Sequence, residues 1–174
     1  MSTKLISIND LPPDGKEYAL DDQSIWQDAI REFKMDCKII EPLRGKALVQ
    51  PVDEGVLVKG ELSGVVSVPC NRCAEDATIR IDTNFSEYEE IPPEKNREEQ
   101  EGYIVYERHA PMLDLAKVGW EQFMLAMPVN PVCRDDCKGL CPQCGANLNS
   151  EKCACETEGG DPRLAPLRNL KVSR

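Results

Sequence analysis

Histidine is nearly missing from this chain: one residue, His109, stands beside nine cysteines in 174 positions. That scarcity excludes sites built from several imidazoles, the histidine–metal motifs of hydrolases among them. Aromatic residues make up only 5%, and there is no run of about 18 apolar residues to span a membrane. Positive charge is also short. Lysine and arginine total 21 against 31 aspartates and glutamates, giving a net charge of −10 and a pI near 4.7. The field of the whole chain therefore repels phosphate and excludes a general nucleic-acid-coating role, so any RNA contact is local or indirect. Gly-rich phosphate loops and nucleophile elbows are lacking too. The opening MSTKLISIND has no basic region leading into an apolar core, which predicts a cytoplasmic protein.

What is abundant is cysteine, and six of the nine fall between Cys133 and Cys155, in a stretch too polar to fold around a core of its own. An odd count in a reducing compartment argues against a disulfide framework, and six clustered thiols exceed what a redox pair needs. Metal ligation is the chemistry that remains. Cys141-Pro142-Gln143-Cys144-Gly145 reads as a zinc knuckle, in which two thiolates grip one ion from a tight turn and Gly145 supplies left-handed backbone so that amides face sulfur. Cys153 and Cys155 are the most economical partners, because eight residues separate Cys144 from Cys153. The expected ligands of a Zn2+ ion are thus Cys141, Cys144, Cys153 and Cys155, with Cys133 and Cys137 as competitors and a two-ion sharing of all six as a third arrangement. Zinc is preferred to an iron–sulfur cluster because a compact polar loop follows the knuckle. Cys70-Asn71-Arg72-Cys73 has ligand spacing but stands alone; it is either a pair of reduced thiols at a hairpin tip or a reach to the C-terminal metal. Cys37 reads as a small buried apolar residue.

Periodicity predicts an α+β fold, an antiparallel β meander packed with two or three helices. Lys4–Ile8 alternates briefly before a turn at Pro12-Pro13-Asp14-Gly15. Ser24 and Gln27 suggest a capping box for a helix presenting Trp26, Ala29, Ile30 and Phe33 on one face. From about 37 to 91 the period is two, with runs at 45–52, 55–61, 65–69 and 77–85, and a hairpin turn at 51–55. Residues 86–101 carry seven glutamates against one lysine and one arginine and read as a mobile, solvated loop. A short strand at 103–106 follows. Leu113, Ala116, Trp120, Phe123 and Met127 then mark a second helix, ended by Pro128 and Pro131. Asp161 and Pro162 open a short C-terminal helix whose Arg163, Arg168 and Lys171 are locally basic. The expected organisation is a body over 1–130 and a zinc-binding segment with a basic helix over 131–174.

Three features, Cys70-Asn71-Arg72-Cys73, the CKGLCPQCGANLN block at 137–149 and DPRLAPLRNL at 161–170, together make the chain resemble the YceD family from about residue 40 onward. The resemblance implies a role in accumulation of large-subunit ribosomal RNA and hence in ribosome biogenesis. The expected function is a non-enzymatic factor acting through a ribosomal protein or that RNA, without a membrane or small-molecule substrate. Its acidity suits a basic ribosomal protein, with Arg72, Arg163, Arg168 and Lys171 as candidate partner contacts. The alternative, a metal- or thiol-dependent nuclease or oxidoreductase, lacks converging carboxylates for a hard cation, and its only strong site is all sulfur.

Overall fold

The computed structural model describes residues 3–91 and 102–155. Three strands of 15 residues each, β3 (Lys38–Val52), β4 (Gly55–Pro69) and β5 (Asp76–Glu90), form most of a four-stranded antiparallel sheet. Its fourth strand, β2 (Lys16–Ala19), pairs with β3, giving the order β2-β3-β4-β5. A second sheet, in the order β1-β7-β6, joins β1 (Leu5–Ser7), β6 (Ile104–Glu107) and β7 (Ala110–Asp114). Helices α1 (Gln23–Glu32) and α2 (Leu115–Ala126) complete the α+β body.

Alternation turns Ala77, Ile81 and Phe85 of β5 inward, Ile81 and Phe85 beneath the helices, while Thr78, Arg80 and Asp82 face solvent. Facing them, Trp26 of α1 and Phe123 of α2 are fully buried with ring centroids 6.1 Å apart. Leu20, Leu43, Leu62, Ile81 and Leu113 fill the space around them. Phe33 is 56% exposed, yet its ring stacks on Trp120 at 5.5 Å, closing the rim between the helices.

Several sequence expectations change. The runs at 55–61 and 65–69 are one continuous strand. The irregularity sits instead on β3, where the register shifts between Glu41 and Arg44, around Pro42, which has no N–H for the ladder. Leu43 thereby loses its ladder partners. The Gln23 amide replaces them, its Nε2 donating to the Leu43 carbonyl at 2.7 Å and its Oε1 accepting from the Leu43 N–H at 3.1 Å. The cap of α1 is Asp22, whose carboxylate accepts from the Ser24 N–H at 2.9 Å, so Ser24 is a first-turn residue and not the cap. Strands β2 and β7 lie outside the expected elements. Strand β7 follows a two-residue hairpin in which Arg108 and His109 both take left-handed backbone (φ 48 and 70) without the Asn-Gly signature that normally announces such a turn. Leu113 belongs to β7, and α2 begins after Asp114, whose Oδ1 accepts from the N–H groups of Ala116 (3.1 Å), Lys117 (3.3 Å) and Lys4 (3.3 Å). The acidic segment is strand as far as Glu90; positions 92–101 lie outside the described residues, as does the expected helix after Asp161.

Candidate metal centre

The turn between β4 and β5 and the chain beyond α2 meet at one end of the large sheet. Asn71 N–H donates to the Pro131 carbonyl (2.8 Å), and Leu140 N–H donates to the Arg72 carbonyl (2.9 Å). Arg72 also points its Nη1 back into the segment, donating to the carbonyls of Asp135 and Cys137 at 3.0 Å each. These bonds bring eight cysteines into two separate groups of four, Cys70, Cys73, Cys133 and Cys137 in one and Cys141, Cys144, Cys153 and Cys155 in the other. Within each group all sulfurs lie within 4.8 Å of one another, so each could hold a metal ion.

The outer group is the set that the knuckle sequence singled out. Gly145 takes the expected left-handed conformation (φ 74), and its N–H donates to the Cys141 carbonyl at 2.9 Å. Cys153 Sγ lies 3.3 Å from Cys141 Sγ and 3.5 Å from Cys144 Sγ. The Cys155 N–H faces the Cys153 sulfur at 3.3 Å. Cys141 is buried and Cys144 exposed. Backbone N–H groups of Cys144 and Gln143, with the Cys153 thiol, hold the Cys141 thiol down at about 6. Cys155 is pushed up to about 12 by hydrogen bonding to the neighbouring Cys153 and Cys144 sulfurs and by burial.

The inner group takes in Cys133 and Cys137, the two competitors, and gives Cys70 and Cys73 the second pair that their own neighbourhood in sequence does not offer. Cys70 and Cys137 sulfurs are 3.8 Å apart and those of Cys73 and Cys133 3.6 Å apart. Cys70, Cys73 and Cys137 are buried, with Ala77 beneath them. Burial opposes ionisation of Cys70, but N–H groups of Cys133, Arg72 and Cys73 outweigh it and bring the thiol to about 6. Cys133 moves the other way, to about 12, through burial and the Cys73 and Cys137 sulfurs. Cys37 stays apart in the main core, its thiol raised by burial.

Asn149 is the residue that sequence reasoning missed. It lies in the outer loop yet donates from Nδ2 to the inner Cys137 sulfur at 3.4 Å, while its Oδ1 accepts from Lys138 N–H and Arg134 Nη2 at 2.8 Å each. Nothing in the string Asn147-Leu148-Asn149 marks that role. Arg163, Arg168 and Lys171 lie outside the described residues. His109 occupies the β6–β7 turn, away from both groups in the chain.

The sequence profile of a family described as "Large ribosomal RNA subunit accumulation protein YceD" matches residues 58–171, a span holding all eight clustered cysteines. The chain belongs to the YceD family. Among its relatives, an uncharacterized protein of Mycobacterium tuberculosis is 37% identical over 123 residues, covering 68% of this chain and 57% of the relative. A protein of Arabidopsis thaliana named "Large ribosomal RNA subunit accumulation protein YCED homolog 1, chloroplastic" is 31% identical over 138 residues, covering 64% of this chain and 43% of its own length. The chain thus spans a little over half of the mycobacterial relative. No solved structure matches it. None of the described helices is long and apolar enough to cross a membrane.

Proposed function

We propose that the protein is a non-enzymatic ribosome-biogenesis factor of the cytoplasm that supports synthesis, processing or accumulation of large-subunit ribosomal RNA. The observation that carries this reading is the family match over residues 58–171, with the Arabidopsis relative named for the same role. The immediate partner is a basic ribosomal protein in preference to RNA, because a net charge of −10 attracts the first and repels the second. The body over 1–130 provides the scaffold, and residues 131–174 form a segment organised by metal.

Zinc is the ion assigned to Cys141, Cys144, Cys153 and Cys155. Four thiolates about 2.3 Å from one tetrahedral ion stand ~3.8 Å from one another. The 3.3 and 3.5 Å separations, with all four sulfurs inside 4.8 Å, suit a single ion in preference to a multi-iron cluster. The ion serves as scaffold and does no chemistry.

The test is affinity capture of the tagged full chain from lysate, with and without nuclease treatment. A ribosomal protein retained after nuclease supports the protein-partner reading. Ribosomal components lost on nuclease treatment shift the partner to RNA, and their absence under both conditions contradicts the functional reading.

A further inference from the structure

The turn Cys70-Asn71-Arg72-Cys73-Ala74 repeats the backbone of the knuckle Cys141-Pro142-Gln143-Cys144-Gly145 bond for bond. In the first, Cys70 N–H donates to the Glu75 carbonyl at 2.8 Å; in the second, Cys141 N–H donates to the Ala146 carbonyl at 2.8 Å. Ala74 N–H then donates to the Cys70 carbonyl at 2.9 Å, as Gly145 N–H does to Cys141 at 2.9 Å. Left-handed backbone follows the second cysteine in both, φ 60 at Ala74 and φ 74 at Gly145. The N–H two residues past the first cysteine faces that cysteine's sulfur in each: Arg72 N–H lies 3.4 Å from the Cys70 sulfur, and Gln143 N–H hydrogen-bonds the Cys141 sulfur.

Ala74 makes this match informative. A left-handed alanine is strained relative to glycine, and such strain persists only where the surroundings over-determine it. Hydrophobic packing supplies little of that constraint, because the buried cluster at this turn is Cys70, Cys73, Ala77 and Cys137, with only the partly buried Ile79, Val132 and Cys133 against it. The sulfur separations of 3.8 and 3.6 Å, with all four inside 4.8 Å, do suit one tetrahedral ion. An outside donor is already in place, since Asn149 Nδ2 reaches the Cys137 sulfur.

We infer that Cys70, Cys73, Cys133 and Cys137 form a second, separate zinc site, which locks the β4–β5 turn to the chain leaving α2. The protein then carries two zinc ions per chain, each held by four thiolates and each entered through a knuckle of the same geometry. The two differ in access. Three inner cysteines are buried, whereas the outer set has Cys144 exposed and Cys153 and Cys155 half-buried. The outer ion is therefore the first to leave under a chelator, and the inner ion the last. Arg72 is a positioning residue of the inner site, holding the 135–137 backbone through its guanidinium. The inference shares the choice of zinc with the reading above but stands apart from the ribosomal role.

Metal content and native mass spectrometry of the full chain, purified without added metal, test it. The expected result is two zinc ions in the wild type and one in the Cys144→Ser/Cys153→Ser variant. A wild type with one zinc that disappears in that variant overturns the second site and leaves the outer one standing; a wild type without zinc overturns both. Iron in the surviving site also overturns the assignment. Because Cys70→Ser/Cys73→Ser risks misfolding, stepwise chelation of the wild type supplies the independent readout. Two mass losses of one zinc each, with the first abolished by Cys144→Ser/Cys153→Ser, support the assignment, and a single-ion loss contradicts it.

Discussion

Gly139 and Gly145 share left-handed backbone, with φ of 76 and 74, but their surroundings separate them. A Cβ at Gly139 would sit 2.9 Å from the Arg72 carbonyl oxygen, while one at Gly145 meets nothing within 4 Å. Gly145→Ala therefore costs only the left-handed strain, about 1–2 kcal/mol. Gly139→Ala adds a steric clash with backbone and displaces the Leu140 N–H bond to Arg72. Denaturant melts of the metal-loaded protein should show a larger loss for Gly139→Ala, together with lower zinc content. Equal losses would show that the Arg72 contact does not hold the segment. A second residue-scale case is Gln23. Gln23→Ala leaves both backbone groups of Leu43 without their partner at a bulge, and an expected loss of about 1–3 kcal/mol follows from their desolvation. A melt unchanged by this substitution would mean that water replaces the amide.

At the scale of elements, Asp114 does the work of a junction. One carboxylate oxygen ends β7, caps α2 and ties down the Lys4 N–H at the start of β1. Asp114→Ala should cost about 1–2 kcal/mol, in the upper part of the range for a cap, and more than the same change at Asp22, whose cap bond is exposed. Thermal denaturation of the two variants side by side decides the order. The elements themselves were legible wherever periodicity was long. The alternation of β5 and the apolar face of α2 could be read directly, and Cys141-Pro142-Gln143-Cys144-Gly145 announced its own turn. What escaped was set by distant partners. Strand β2 has only four residues and exists by pairing with β3; β7 lies behind a hairpin of Arg108 and His109 that carries no turn signature. The inner cysteine group joins two local pairs that lie 60 or more residues apart, and no local pattern encodes that meeting. Asn149 is a stronger case still, since its value lies in reaching from one cysteine group to the other.

For the molecule as a whole, metal and charge divide the labour. The sheets and helices have a core of their own around Trp26 and Phe123, whereas residues 127–155, the described part of the chain after α2, bury few apolar side chains beyond the cysteines. Binding of a structural zinc, on the order of 10–16 kcal/mol, supplies the order there. Chelation should thus leave the far-UV signal of the body while making the 133–155 stretch protease-sensitive; global unfolding would contradict the division. Charge predicts partner class by sign. Replacing Glu94, Glu98, Glu99 and Glu101 by glutamine should slow association with a basic protein and strengthen binding to RNA, at fixed salt because screening acts over about 8 Å. Reversal of Arg163, Arg168 and Lys171 to glutamate should do the opposite in each case. The most direct measurement of the central claim is the ratio of large- to small-subunit ribosomal RNA in cells lacking this gene. The ratio should fall and be restored by the wild-type chain; an unchanged ratio in the deletion would contradict the assignment to ribosomal RNA accumulation.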